Sequence, residues 1–284
     1  MSAVSVSKKR QPGTGFRLRK LSRLASPAAV LLMAVSVCQA QDAEELAKQL
    51  ANPVAALISV PFQFNFDSDI GPDDDGDRMT LNIQPVIPFS LNEDWNLISR
   101  TILPVIDQSD TFPGSGSQFG VGDIVQSVFF SPKAPTANGW TWGAGAVMLV
   151  PTGSDDLLTA DKWGLGPTGV ALKQQGPWTY GGLFNHIWSV AGDDDRSDIN
   201  ATLLQPFLIY TTPAGWAYGL NVEASRDWEN KEWSIPTHLF TSKVTKIGNQ
   251  MVQFGGGLRY FAESSENGPE GLGVRLFFTL LLPK

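Results

Sequence analysis

Cysteine is nearly absent from this 284-residue chain. Cys38 is the only one, so the chain can form no internal disulfide. Acid is missing from the first forty residues, which carry seven basic ones (Lys8, Lys9, Arg10, Arg17, Arg19, Lys20 and Arg23). The short apolar run PAAVLLMAVSVCQA follows them, and then QDAEE. That order predicts an export signal over residues 1–40, cleaved between Ala40 and Gln41. Val37 is larger than a lipoprotein signal carries before its cysteine, so plain export without lipidation is expected. The apolar run is too short to span a bilayer, and no run of about 18 apolar residues follows it, which excludes membrane-crossing helices.

Removing the signal removes Cys38, and with it all thiol chemistry. It also takes 7 of the 21 basic residues and none of the 28 acids, so the formal charge moves from −7 to −14. So acidic a chain is a poor nucleic-acid binder, and none is expected as a partner.

Helical periodicity is scarce. Ala43, Leu46, Ala47 and Leu50 have helical spacing before Pro53, which predicts one short amphipathic helix over 42–52, within a periplasmic segment 41–53. Everything afterwards, 54–284, reads as strands. Their expected bounds are 54–66, 78–91, 95–106, 119–131, 139–151, 162–174, 178–190, 199–211, 216–226, 233–245, 249–261 and 271–282. Globular strands are commonest at about 5–6 residues, whereas a tilted membrane-crossing strand needs about 9–11. Alternation is clearest in the first strand, with Ile58, Val60, Phe62, Phe64 and Phe66 against Ser59, Gln63 and Asn65, and in the last, with Leu272, Val274, Leu276, Phe278 and Leu280 against Arg275 and Thr279. Pro85, Pro104, Pro167 and Pro206 each remove a ladder donor, so bulges are expected there.

Acid is distributed unevenly among the connections. The odd ones (66–78, 107–118, 152–161, 191–198, 227–232 and 262–270) hold 21 of the 28 acids, the even ones two. A soluble sandwich has no reason to do this. A barrel with both termini in the periplasm has long external loops at odd positions and short turns at even ones. Trp95, Trp140, Trp142, Trp163, Trp178, Trp188, Trp216 and Trp233 fall near strand ends, as interfacial girdles do. The fold expected is therefore all-β: an antiparallel transmembrane β-barrel of about 12 strands with a short N-terminal helix.

The stretches NPVAALISVPFQFNFD, LNIQPVIPFSLNEDWNLISRTILPVI, GVGDIVQSVFFSPK, KWGLGPTGVALKQQGPWTYGGLFNHIWSVAGD and LQPFLIYTT, with the terminal RLFFTLLLPK, resemble a family of Gram-negative outer-membrane proteins. Its members are usually labelled transporter, or related to meta-pathway phenol-degradation outer-membrane proteins. The resemblance covers nearly the whole exported chain. It implies an outer-membrane barrel, partnered by outer-membrane lipid, lipopolysaccharide and the barrel-assembly machinery, with a transport role. It brings no agreed substrate and no functional residues. The Leu-Pro-Lys end departs from the terminal aromatic of the commonest assembly signal.

Parity turns Gln63, Asn65, Asn82, Gln84, Arg100, Asn221, Glu223, Gln253, Arg259 and Arg275 inward, because a mid-membrane arginine on the lipid face would cost about 2–4 kcal/mol. They line either a polar, partly cationic conduit or an Arg–Glu plug. The acidic stretch DSDIGPDDDGD suits an oxygen-liganded cation. A weak calcium site at Asp67, Asp69, Asp73, Asp74, Asp75 and Asp77 is one reading; a solvated loop bridged by divalent ions to lipopolysaccharide is the other. No bidentate Glu stands at the loop end, so it is no EF-hand. Asn185, His186 and Ser189 suggest a hydrolase, but His186 and Ser189 have opposite parity. No catalytic site and no cofactor are expected. The expected function is a channel or uptake transporter for small solutes, with aromatic or anionic ones as candidates. The alternatives are a structural or adhesive barrel with a plugged lumen and, third, a membrane-embedded lipid hydrolase.

Overall fold

The computed structural model describes residues 43–282. The export signal and its cleavage point lie outside them. One helix, residues 43–50, precedes an antiparallel sheet that closes on itself.

Twelve strands cross in turn. They are β1 (Ile58–Ile70), β2 (Gly76–Ile83, resuming as Val86–Ser90), β3 (Trp95–Ser109), β4 (Ser117–Val121, resuming as Ile124–Pro132), β5 (Trp140–Val150) and β6 (Lys162–Gln175). After them come β7 (Trp178–Gly192), β8 (Asn200–Thr211), β9 (Trp216–Val222, resuming as Ala224–Asp227), β10 (Glu232–Ser234, resuming as Pro236–Ile247), β11 (Gln250–Phe261) and β12 (Leu272–Leu282). Each pairs with its sequence neighbours, and β12 pairs with β1 from Ile58↔Leu282 to Phe66↔Val274, so no edge is left open.

The pattern of burial is the inverse of a soluble protein's. On β12, Leu272, Val274 and Leu276 are exposed, whereas Gly273, Arg275 and Thr279 are buried. On β1, Phe64 and Phe66 are exposed while Ser59, Asn65 and Asp67 are buried. Polar residues inside and a continuous apolar exterior make sense only where the outside is hydrocarbon. Indoles mark the two rims. Trp95, Trp140, Trp178 and Trp216 open β3, β5, β7 and β9 at the short-turn end, with Trp95–Trp142, Trp140–Tyr180 and Trp178–Tyr210 in edge contact.

The first strand differs from its expected span in both directions. It starts at Ile58 rather than 54, because Val54 turns into the lumen to pack among Ile98, Phe129, Val170, Leu172 and Leu183. It runs on to Ile70 rather than stopping at 66, because the carboxylate of Asp67 meets Arg259 inside the barrel and need not reach water. Of the prolines, only Pro85 interrupts its strand. Pro104, Pro167 and Pro206 stay in register opposite Asn82, Ala146 and Gly182. The other interruptions fall at 122–123, 223 and 235, and bulges mark β1 near Asp67 and β6 at Trp163/Gly164.

In a closed barrel every strand finds both its partners within the fold, so unfolding has no free edge from which to start. Unboiled protein should therefore run faster than boiled protein on a denaturing gel. Identical mobility, with recovery as a detergent-free soluble monomer, would contradict this architecture.

Candidate functional site

The lumen has two different walls. Along β3, β4, β6 and β7 it is apolar, built from Ile98, Phe129, Val170, Leu172 and Leu183, with Val86, Leu203 and Phe207 packed against them. Across β9 to β12 and round to β2 it carries a chain of charged and amide groups.

Arg275 anchors that chain. Its Nε donates to Asn65 Oδ1 at 2.6 Å, while Nη1 and Nη2 reach the two oxygens of Glu223 at 2.9 and 3.2 Å. This is the planar two-point geometry for which guanidinium and carboxylate are matched. Asn221 Nδ2 donates to Glu223 Oε1 at 3.2 Å, and His238 Nε2 lies 3.1 Å from Glu223 Oε2. Arg259 Nη1 donates to Asp67 Oδ1 at 2.7 Å. That pair reaches across β12, which it can do because the intervening residue is Gly273. A Cβ there would sit 2.6 Å from Asp67 Oδ1. Further round, Arg100 Nη2 donates to Gln84 Oε1 at 2.9 Å and Arg78 Nε to Gln108 Oε1 at 2.8 Å.

Gln63, Asn65, Asn82, Gln84, Arg100, Asn221, Glu223, Gln253, Arg259 and Arg275 thus share the inner face. Arg259 and Arg275 do not share one carboxylate, as a plug centred on Glu223 would have it: Arg259 is taken by Asp67, Arg275 by Glu223. Asp67, read from the sequence as loop acid, is the principal correction. Parity held the signal, since 63, 65 and 67 follow one another on the same face. Arg78 and His238 were missed as well; Arg78 shares the inward parity of Asn82 and Gln84, while His238 is placed by its pairing with Asn221.

The six aspartates do not converge as a calcium site requires. Among the described residues no three of His, Cys, Asp and Glu are grouped to hold a metal. Asp67 is committed to Arg259, and the others spread along strand ends and the turn between β1 and β2. His186 and Ser189 face opposite sides of β7. His186 Nδ1 is 2.7 Å from Thr202 Oγ1 on the outer face, whereas Ser189 Oγ donates to Asp198 Oδ1 at 3.0 Å. Asn185 pairs with Thr168 instead.

The helix closes the short-turn end of the lumen. Ala43 and Ala47 are buried with Val244 and Leu281, joined by Leu46, Leu50, Leu57 and Met251, and Gln174 Nε2 donates to the Lys48 carbonyl at 2.8 Å. Between this helix and the ionic chain lies a cavity of about 270 Å³. Its lining includes Leu50, Pro53 and Leu57 from the N-terminal segment and Gln63, Arg100, Phe207, His238 and Arg275 from the barrel.

At the loop end, Asp123 carries the connection between β5 and β6. Its carboxylate accepts from the Thr152, Gly153 and Ala160 amides and from Thr159 Oγ1, at 2.7–3.0 Å. Asp123→Ala would strand several of these donors at about 1–3 kcal/mol each, so limited proteolysis should cut within 153–160 in the variant and spare the parent. Equal resistance would remove Asp123 from that role. Asp198 is held below the usual carboxylate range, first by the Ser189 hydrogen bond and then by Lys162, whose Nζ is 3.3 Å away. A depressed folded pKa stabilises above the unfolded value, about 3.9, and loses that contribution as pH falls. Exchange protection of the Ile199 amide, which donates to Ser189 Oγ, should therefore drop below about pH 4 after correction for intrinsic rates. Unchanged protection would refute the coupling.

Neither a family model nor a curated protein matches the sequence. Solved structures do match. An outer membrane channel from Pseudomonas putida F1 superposes with a TM-score of 0.64 over 80% of this chain and 96% of its own, at 16% identity. Looser matches are the β domain of the Bordetella autotransporter BrkA, with a TM-score of 0.47 at 10% identity over 80% of this chain and 100% of its own, and outer membrane phospholipase A from Escherichia coli, at 0.46 and 10% over 78% and 92%. The chain has the fold of an outer-membrane β-barrel.

Proposed function

We propose that this barrel is a gated channel for small solutes across the outer membrane, held closed in the state described. The observation that carries the reading is the lumen cavity bracketed by two separable barriers. On the short-turn side, which this reading makes periplasmic, stands the helix 43–50 with Pro53 and Leu57. Above it stands the ionic chain of Arg259–Asp67 and Arg275–Glu223. A barrel that is only a structural or adhesive anchor has no use for an internal cavity with polar groups on one wall and apolar groups on the other. Pores select by charge and diameter at such constrictions.

Four guanidinium groups (Arg78, Arg100, Arg259 and Arg275) face two carboxylates (Asp67 and Glu223) on these inner walls. That imbalance favours anions. The plugged-barrel alternative rests on the same ionic chain and predicts no conductance under any condition. No hydrolytic function is proposed: His186 and Ser189 stand on opposite faces of β7, outside hydrogen-bond reach of each other. Planar-bilayer recording decides between channel and plug. Brief, small openings that carry anions in preference to cations are expected from the intact exported chain. Silence from both the intact chain and one lacking the helix would overturn the channel.

A further inference from the structure

We propose that the lumen cavity binds a short amphipathic monocarboxylate, with the carboxylate on Arg100 and the hydrocarbon chain against Val86, Leu183 and Phe207. The inference rests on reading the barrel as a solute channel, and it names the solute class.

Two arginines line the cavity, Arg100 and Arg275, and they differ. Arg275 is occupied by Glu223 and Asn65, and Arg259 by Asp67. Among the described residues Arg100 has no carboxylate within salt-bridge distance; its partner is the neutral amide oxygen of Gln84. A guanidinium carries five N–H donors in a planar fork suited to a carboxylate. A charge held inside a protein without a counter-charge is costly, and an arriving anion would relieve that cost. The Gln63 and Gln84 amides on the same cavity can complete the anion's hydrogen bonds.

Beside this polar corner the wall turns apolar, and it stays apolar on β7 and β8. Val86 is the cross-strand partner of Arg100, Leu183 is 2% exposed, and both Val86 and Phe207 pack against the apolar cluster of the lumen. One end of the ligand therefore takes a charge and the other takes hydrocarbon. A second negative charge would face that hydrocarbon with no cation free to meet it, which excludes dicarboxylates and phosphate dianions. At about 270 Å³ the space lies just under the range of drug-sized pockets, about 300–1,000 Å³, so the occupant is small.

The test uses the exported barrel in nanodiscs, titrated calorimetrically with hexanoate, acetate and hexanamide, with empty nanodiscs subtracted. Hexanoate should bind. Acetate, lacking the chain, and hexanamide, lacking the charge, should each bind at least about tenfold more weakly, as expected for loss of one buried charged or apolar contact. Arg100→Gln should weaken hexanoate by about tenfold or more, and Arg100→Lys should recover part of it. Hexanamide binding as well as hexanoate, an unaltered affinity in Arg100→Gln, or no hexanoate binding by the parent would each overturn the inference. The ligand comparison on the parent decides the matter even if Arg100→Gln fails to fold. Normal bilayer conductance with failed hexanoate binding would sink this site and leave the channel standing. Tight, Arg100-dependent binding in a barrel that never conducts would do the reverse.

Discussion

Deleting residues 43–53 should convert a barrel that is almost silent in a planar bilayer into one with long, stable openings of about tenfold greater mean current, since pore cross-section sets conductance. The helix and Pro53 line the floor of the cavity, and their removal opens it toward the short turns. The barrel should survive the deletion, because its ladder closes through β12 and β1 and takes no hydrogen bond between strands from this segment. The seat is also weak enough to be undone reversibly. Its apolar contacts are two buried alanines and the partly buried Leu46 and Leu50. At about 0.8 kcal/mol per buried CH₂ the whole seat is worth a few kcal/mol. Shifting a two-state balance from about 1:99 to 99:1 takes about 5.5 kcal/mol, so a partner or voltage could displace the helix. A shortened chain that conducts no better than the intact one would show that the ionic chain alone blocks the lumen.

Glu223→Gln should destabilise the barrel by about 3–5 kcal/mol, since it leaves the buried Arg275 without its counter-charge and takes a carboxylate oxygen from beside His238. Arg275→Gln should cost about as much for the converse reason. The double replacement should cost clearly less than the two singles together, because both charges leave. Urea unfolding in lipid vesicles would measure the cycle. In the bilayer, Glu223→Gln should also shift the reversal potential further toward anions, by adding one uncompensated positive charge at the constriction. Losses under about 1 kcal/mol for both single variants, with strict additivity, would mean that the Arg275–Glu223 pair neither holds the wall nor sets its charge.

Much of this was legible along the chain because a strand repeats every two residues. One count of alternation sorts every residue of β1 or β12 to lipid or lumen, so Phe64 and Phe66 outside and Asn65 and Arg275 inside could be assigned without coordinates. The acid segregated to odd connections told a barrel with long loops at one end and short turns at the other from a soluble sandwich. Where β1 begins and ends was not legible. The unbroken apolar run 53–58 marks no start and the alternation carries on through Asp67, but Val54 leaves the ladder for the lumen, while Asp67 stays in it because Arg259, 192 residues away, supplies its counter-charge.

Local pattern decides which face a side chain occupies, because that depends on backbone geometry alone. Closure decides which side chains meet across the lumen. Asp67 reaches Arg259 only because β12 lies between their strands and offers Gly273 at the crossing point. Arg275 finds Glu223 across β10 and β11. Arg100 is left without a carboxylate because those two acids are already taken. The helix was visible as a helix, but its seat within the barrel mouth was not, since Ala43, Ala47 and Leu50 would show the same spacing against any apolar surface. Periodicity carries one-dimensional information. The pairing of charges and the seating of the helix are properties of a closed three-dimensional wall, in which residues far apart in the chain compete for the same few partners.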